Sequence, residues 1–303
     1  MGVFPTRILL ATDGSKDAAL AARAASDLSK RSGSELHVAH VWQGPPGPAH
    51  DWHGKGSERS LLNELVSREV LEEQTELLAA AGATVAGAHL RRGEPAEEIA
   101  RLGEDMGAGL LVVGSRGLGT IGRLVLGSVS EEVVYRASRS TLVVRGGARA
   151  WPPRRVIVGE DSSEQAKRAS EAALSIAKLF GAEAILVRTS YPQVEVPPSL
   201  SDRPARQRER AMVVRMLERR RLKKALEERA RELEETLGLR PSARAAVAED
   251  PAAFLLEVAE EAGEEAALVA VGSRGLGAVK SLMLGGVSRK VLRAANGPVL
   301  VAP

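Results

Sequence analysis

The sequence predicts a tandem α/β protein: two doubly wound domains, each a five-stranded parallel sheet with helices on both faces. Three observations carry that expectation. The 303-residue chain repeats itself once. Each copy alternates short apolar runs with segments of helical period. Those runs are near-continuous rather than alternating, as strands buried on both faces require.

The repeat is direct. "LLVVGSRGLGTIGRLVLGSVSEEVV" (110–134) returns as "LVAVGSRGLGAVKSLMLGGVSRKVL" (268–292), and "RILLATDGS" (7–15) returns as "RVIVGEDSS" (155–163). The first pair is offset by 158 residues and the second by 148, so the second copy carries ten extra residues between about 190 and 240. Units of this length are domains, not solenoid repeats. We expect domains at 1–147 and 151–303, divided where Gly and Pro interrupt "RGGARAWPPRR" (145–155).

In the first copy "RILLA" reads as a buried strand, and Ala18, Ala22 and Ala25 recur at helical spacing. "ELHVAHV" is the second strand, followed by a loop and a charged helix at about 57–80. "TVAGAHL" is the third strand. "PAEEIARLGEDM" opens a helix on Pro95, with Ile99 and Ala100 facing inward. "GLLVVG", "SVSEEVVYRAS" and "STLVV" supply the fourth strand, the last helix and the fifth strand. Right-handed crossovers place all strand C-termini on one edge, where ligands of such sheets bind.

Composition narrows the function classes. Forty-two basic and 39 acidic residues leave a net charge of +3, too small to argue for nucleic acid. Without cysteine there is neither a disulfide framework nor a thiolate metal site. No apolar run is long enough to span a membrane, and the N-terminus has no signal-peptide pattern; a cytoplasmic protein is expected.

The glycine-rich loop decides between nucleotide classes. Gly117-x-Gly119-x-x-Gly122 has dinucleotide-fingerprint spacing, but it follows the fourth strand instead of the first, Lys280 replaces its last glycine in the second copy, and no acid ends the next strand. No Walker Gly-Lys-Ser/Thr occurs. What is duplicated is Gly114-x-x-Gly117, nine residues, then Gly127-Ser128, matched by Gly272-x-x-Gly275, nine residues, then Gly285-Gly286. Glycines let backbone amides approach an anion, and the helix start after Gly127 offers free N–H groups and a favourable dipole.

On these residues, together with "TDGS", "GEPAEEI", "VVGSRG" and the terminal "PVLV", the chain resembles the universal stress protein family, nearly throughout and twice over. The resemblance implies the adenine nucleotide alpha hydrolase-like fold and an ATP site. It places Ala11 and Val41 at the adenine, Asp13 at the ribose, and Gly114, Arg116, Gly117, Gly127, Ser128, Val129 and Ser130 around the phosphates. Mg²⁺ bridging Asp13 and phosphate would be compatible with such a site. Read as residues alone, Asp13 is equally a turn former and Ser130 equally a helix cap.

The second copy implies Gly159, Asp161, Thr189, Gly272, Arg274, Gly275, Gly285, Gly286, Val287 and Ser288. Gly286 lacks the Ser128 hydroxyl and Glu160 replaces Thr12. One lost hydrogen bond to a charged group costs about 1.5–3 kcal/mol, so the second site is expected to bind about tenfold to a hundredfold more weakly.

Other features have simpler readings. His37 and His40 point to opposite faces of a strand, and "HDWH" (50–53) lies in a loop, so no metal site is expected. Trp42 or Trp52 could shield a base. Between 203 and 231 there are 12 basic and 4 acidic residues on an amphipathic helix, a candidate docking or self-association arm. No catalytic constellation is visible. A stress-response ATP-binding protein is expected, with a non-nucleotide scaffold and a slow ATPase as alternatives. The family also pairs domains through their final strands, here 140–145 and 298–303, edges that would otherwise be left bare.

Overall fold

A computed structural model describes residues 4–44, 55–117, 126–147, 150–191, 204–261, 263, 267–274 and 284–303. The first copy runs β1 (Arg7–Ala11), α1 (Lys16–Ser32), β2 (Glu35–Trp42), α2 (Lys55–Ala80), β3 (Val85–Arg92), α3 (Pro95–Asp105), β4 (Leu110–Gly114), α4 (Ser128–Arg136) and β5 (Ser140–Val144). The second runs β6 (Arg155–Gly159), α5 (Glu164–Phe180), β7 (Glu183–Ser190), α6 (Pro204–Leu237), β8 (Ser242–Val247), α7 (Pro251–Glu260), β9 (Ala267–Gly272), α8 (Gly286–Ala294) and β10 (Val299–Ala302).

The strands form one ten-stranded sheet, ordered β3-β2-β1-β4-β5-β10-β9-β6-β7-β8. Every neighbouring pair is parallel except β5–β10, where Val143 faces Val299, Leu142 faces Leu300 and Thr141 faces Val301. Within each copy the order reverses between the first and fourth strands, so α1 and α2 cover one face, and α3 and α4 the other. A crevice must open at that reversal, beyond the strand C-termini.

Side-chain alternation sorts each apolar strand into two cores. Ile8, Leu10, Leu36, Val38, Leu110 and Val112 pack under α1 and α2. Leu9, Ala39, Leu111 and Val113 pack under α3 and α4. The helices are laid down by local signals. Ser15 and Ser163 cap α1 and α5 by accepting the N–H of Ala18 and Ala166, and Gly33 and Gly181 end them in the left-handed region, with φ of 75° and 65°.

The interdomain segment is anchored. Trp151 is fully buried, donates from Nε1 to Asp27 Oδ2 at 3.2 Å, and meets Phe180 edge-on at 5.2 Å between ring centres. Among its described side chains, the charged helix α6 buries Leu222, Leu226, Ala230, Leu233 and Leu237 of its C-terminal half, whereas Met212, Met216 and Leu217 are exposed.

Candidate functional site

At each strand-order reversal lies a cavity. The first, about 340 Å³, is floored by the ends of β1, β2 and β4 and walled by the N-termini of α3 and α4. It brings together all ten residues inferred for the first copy: Ala11, Asp13, Val41, Gly114, Arg116, Gly117, Gly127, Ser128, Val129 and Ser130. The second, about 480 Å³, brings together Gly159, Asp161, Thr189, Gly272, Arg274, Gly285, Gly286, Val287 and Ser288. Gly275, Trp52 and the 50–53 histidine pair lie outside the described residues.

Close backbone approach is why glycine occupies the floor. A Cβ on Gly114 would sit 2.7 Å from the Asp17 carbonyl carbon and 2.8 Å from the Ala18 nitrogen; Gly272 meets Gln165 and Ala166 in the same way. A Cβ on Gly117 would strike Asp13 Oδ2, so this glycine lets the loop rest against the end of β1. Asp13 Oδ1 accepts the Ser15 N–H at 3.0 Å, and Asp161 Oδ1 accepts that of Ser163 at 2.9 Å. The two aspartates therefore form the turn.

Helices α4 and α8 begin on Gly127 and Gly285 with no side-chain cap, whereas α1, α5 and α7 are each capped by a side chain. The first-turn N–H groups of α4 and α8 lack intrahelical acceptors and face the cavities. Ser130 neither caps α4 nor offers its proton to the cavity: its Oγ donates to the Gly114 carbonyl at 2.6 Å, and Ser288 Oγ donates to Gly272 at 2.5 Å. These hydroxyls tie helix to strand.

Arg116 is also engaged. Its Nε and Nη2 donate to Asp17 Oδ2 and Oδ1 at 2.8 and 3.0 Å, and Ser115 Oγ donates to Oδ2 at 2.6 Å. Burial alone would raise the Asp17 pKa; the hydrogen bonds from Arg116 and Ser115 outweigh it and hold the carboxyl below its ordinary value. Asp17 escaped the sequence reading because its partner lies 99 residues away.

Thr12 and Glu160 occupy equivalent positions with different partners. Thr12 Oγ1 meets Gln74 Oε1 of α2 at 3.3 Å. Glu160 is buried, accepts the Ser162 N–H at 2.8 Å, and turns Oε2 toward Arg229 Nε of α6 at 3.9 Å. Trp42, considered as a cover for a base, is buried with the Arg92 guanidinium 5.3 Å above its ring, so it belongs to the core. His37 Nδ1 meets His89 Nε2 at 3.2 Å, and His40 Nδ1 meets the Thr12 carbonyl oxygen at 2.8 Å. No cluster of metal-ligating side chains occurs among the described residues.

The sequence model of the universal stress protein family matches residues 5–145 and again 153–303. The chain belongs to the universal stress protein family. It is 36% identical over 138 residues to a universal stress protein of Thermus aquaticus, covering 46% of this chain and 97% of that one. A universal stress protein of Mycobacterium tuberculosis is 34% identical over 200 residues, covering 64% of this chain and 62% of the relative. Among solved structures, a universal stress protein of Archaeoglobus fulgidus superposes with a TM-score of 0.67 at 24% identity, covering 98% of both chains. The family's α/β fold thus extends over both copies. No helix among the described residues is long and apolar enough to cross a membrane.

Proposed function

We propose that this family member is a stress-response protein that binds ATP in both cavities, one per domain, with domains at 1–147 and 151–303. The observation that carries the reading is the duplicated meeting of three features at one strand edge: a glycine floor, an uncapped helix start, and a first-strand aspartate. Volumes of about 340 and 480 Å³ fit a nucleotide. Val41 and Thr189 are the penultimate residues of β2 and β7 at the apolar side, where main-chain groups would meet adenine, with Ile99 or Leu255 against its face. The first-turn amides of α4 and α8 would hold phosphate, with Ser128 adding a hydroxyl in the first site. Asp13 and Asp161 would meet the ribose or, with Mg²⁺, the phosphates. The bound nucleotide would act as a state signal read by partners. Among the described residues the cavities hold no nucleophile paired with a base, which favours a binding role over turnover.

The test is direct. Protein purified under native conditions is denatured, and its small-molecule fraction is analysed by mass spectrometry alongside ATP titration calorimetry. Ser128→Glu and Gly286→Glu place a carboxylate where phosphate would sit, while an acid at a helix start suits the dipole. The double variant should melt like the parent and lose ATP. Unchanged ATP affinity would remove the nucleotide reading in favour of a scaffold that works through its surface.

A further inference from the structure

The two cavities share a backbone and differ in how their charges are paired. In the first, Arg116 is neutralised by the two-pronged contact with Asp17. In the second, Gln165 stands where Asp17 stands, Ser273 where Ser115 stands, and Arg274 where Arg116 stands. The surroundings are otherwise retained. Gly272 packs against Gln165 and Ala166 as Gly114 packs against Asp17 and Ala18. Ser163 Oγ reaches the Arg274 carbonyl at 3.5 Å, as Ser15 Oγ reaches that of Arg116 at 3.2 Å. Among the described residues no carboxylate forms an ion pair with Arg274, which lines the second cavity.

Other charges differ as well: Arg145 faces Asp17 and Arg116 in the first site, and Pro303 stands at the equivalent position in the second. Asp13 and Asp161 are common to both sites. The extra acid of the second site, Glu160, faces Arg229 Nε at 3.9 Å. Arg188, standing where His40 stands, donates to Ser162 Oγ at 2.8 Å and adds another cation at the rim. What distinguishes the phosphate end of the second site is therefore a guanidinium without a carboxylate partner among the described residues, not a larger net charge.

We propose that the second site is the polyphosphate-selective one, and that the Asp17/Gln165 difference sets this selectivity. The inference rests on the nucleotide reading above and reverses the ranking drawn from the missing Gly286 hydroxyl. A guanidinium not committed to a carboxylate can offer paired N–H donors to phosphate, which outweighs one neutral hydroxyl. Selectivity here means the ratio of affinities for ATP and for adenosine, since adenosine shares the base and ribose but carries no phosphate.

The experiment isolates each site in the full chain: Ser128→Glu leaves the second, and Gly286→Glu leaves the first. ATP and adenosine are titrated into both at fixed salt. The expected ATP-to-adenosine ratio is at least about tenfold larger at the second site, about 1.4 kcal/mol. Gln165→Asp should erase that tenfold while leaving adenosine affinity unchanged, and Asp17→Gln should raise the ratio at the first site. Arg274→Gln, which removes the charge without adding an acid, should act like Gln165→Asp. Equal ratios at the two sites, unmoved by Gln165→Asp and Arg274→Gln, overturn the charge inference and leave nucleotide binding standing. Failure of both ligands to bind either site removes the nucleotide reading itself, and the charge inference with it.

Discussion

Leu142 and Leu300 face one another across the antiparallel β5–β10 pair, and each is the other's counterpart in the repeat. The pseudo-twofold that relates the two domains therefore passes between these two side chains. Both are fully buried and belong to the core under α1, α2, α5 and α6, which runs continuously across the domain boundary. The pairing also gives both final strands a second neighbour, removing two apolar edges.

Leu142→Ala and Leu300→Ala should each destabilise the chain by about 2–5 kcal/mol, as deletions of buried leucine do. Because the side chains are direct cross-strand neighbours, the double variant should depart from the sum of the singles by at least about 0.5 kcal/mol. Urea denaturation of the four proteins measures this. Strict additivity would mean that the two domains do not share this contact in solution.

Much of the fold was legible in the sequence because the signals are local. Apolar runs such as Leu110–Gly114 mark strands buried on both faces, and Ser15 and Gly33 punctuate α1 by caps that need only neighbouring residues. The spacing of Gly114, Gly117 and Gly127 identified a floor and a helix start that do line one cavity. What could not be read depends on contacts between distant segments. Arg116 looked available until Asp17 was placed beside it. Ser130 admitted capping or phosphate donation, and its hydroxyl instead donates to the Gly114 carbonyl of a distant strand, a contact that local sequence does not reveal. Trp42, near the end of one strand, gave no sign that Arg92 of the neighbouring strand would cover it.

The Ser128 hydroxyl can be moved between sites. Gly286 begins α8 with no atom of the described residues within 4 Å of a Cβ added there, so Gly286→Ser fits without rearranging them. It should tighten ATP at the second site by about tenfold, and Ser128→Gly should weaken the first by a similar factor. Calorimetry on the site-isolated chains reads both. A null result for both substitutions would show that phosphate is held by main-chain amides and arginine alone.

The first domain should lose stability in mild acid through His89. Burial, then the nearby His37 and Arg91, hold its pKa below the ordinary value of 6.5. The unfolded chain takes up this proton at about pH 6.5 and the folded chain only at lower pH, so stability falls as pH drops below about 6.5. His37 lies 3.2 Å from His89 and 3.8 Å from Glu35, so it shares this cluster. Melting temperature should fall between pH 7.5 and 5.5, by about 2–4 °C for each kcal/mol lost. His89→Gln should flatten that slope. An unchanged slope would assign the acid sensitivity to another group.

The Glu160–Arg229 contact should respond unequally to removal of its two partners. Arg229 retains Glu232 at 3.0 Å, Glu171 at 3.6 Å and Ser170 Oγ at 3.3 Å when Glu160 is gone, so its charge stays compensated. Glu160 has less in reserve: it keeps the Ser162 N–H and the more distant Arg188, but burial pushes its pKa up and Oε2 makes no hydrogen bond. Glu160→Thr, which installs the residue of the first copy, should therefore be neutral or stabilising, as replacing buried charge often is. Arg229→Gln leaves the carboxylate buried without its cation and should cost about 3–5 kcal/mol at pH 7. The same Thr–Gln pairing that links Thr12 to Gln74 predicts that Glu160→Thr rescues Arg229→Gln. A raised folded pKa means the folded state takes up the proton first as pH falls, so the Arg229→Gln penalty should shrink between pH 7 and pH 5. Denaturation at both pH values measures the asymmetry. If both single variants cost the same and neither cost depends on pH, Glu160 is an ordinary ion-pair partner and not a strained acid beneath the second site.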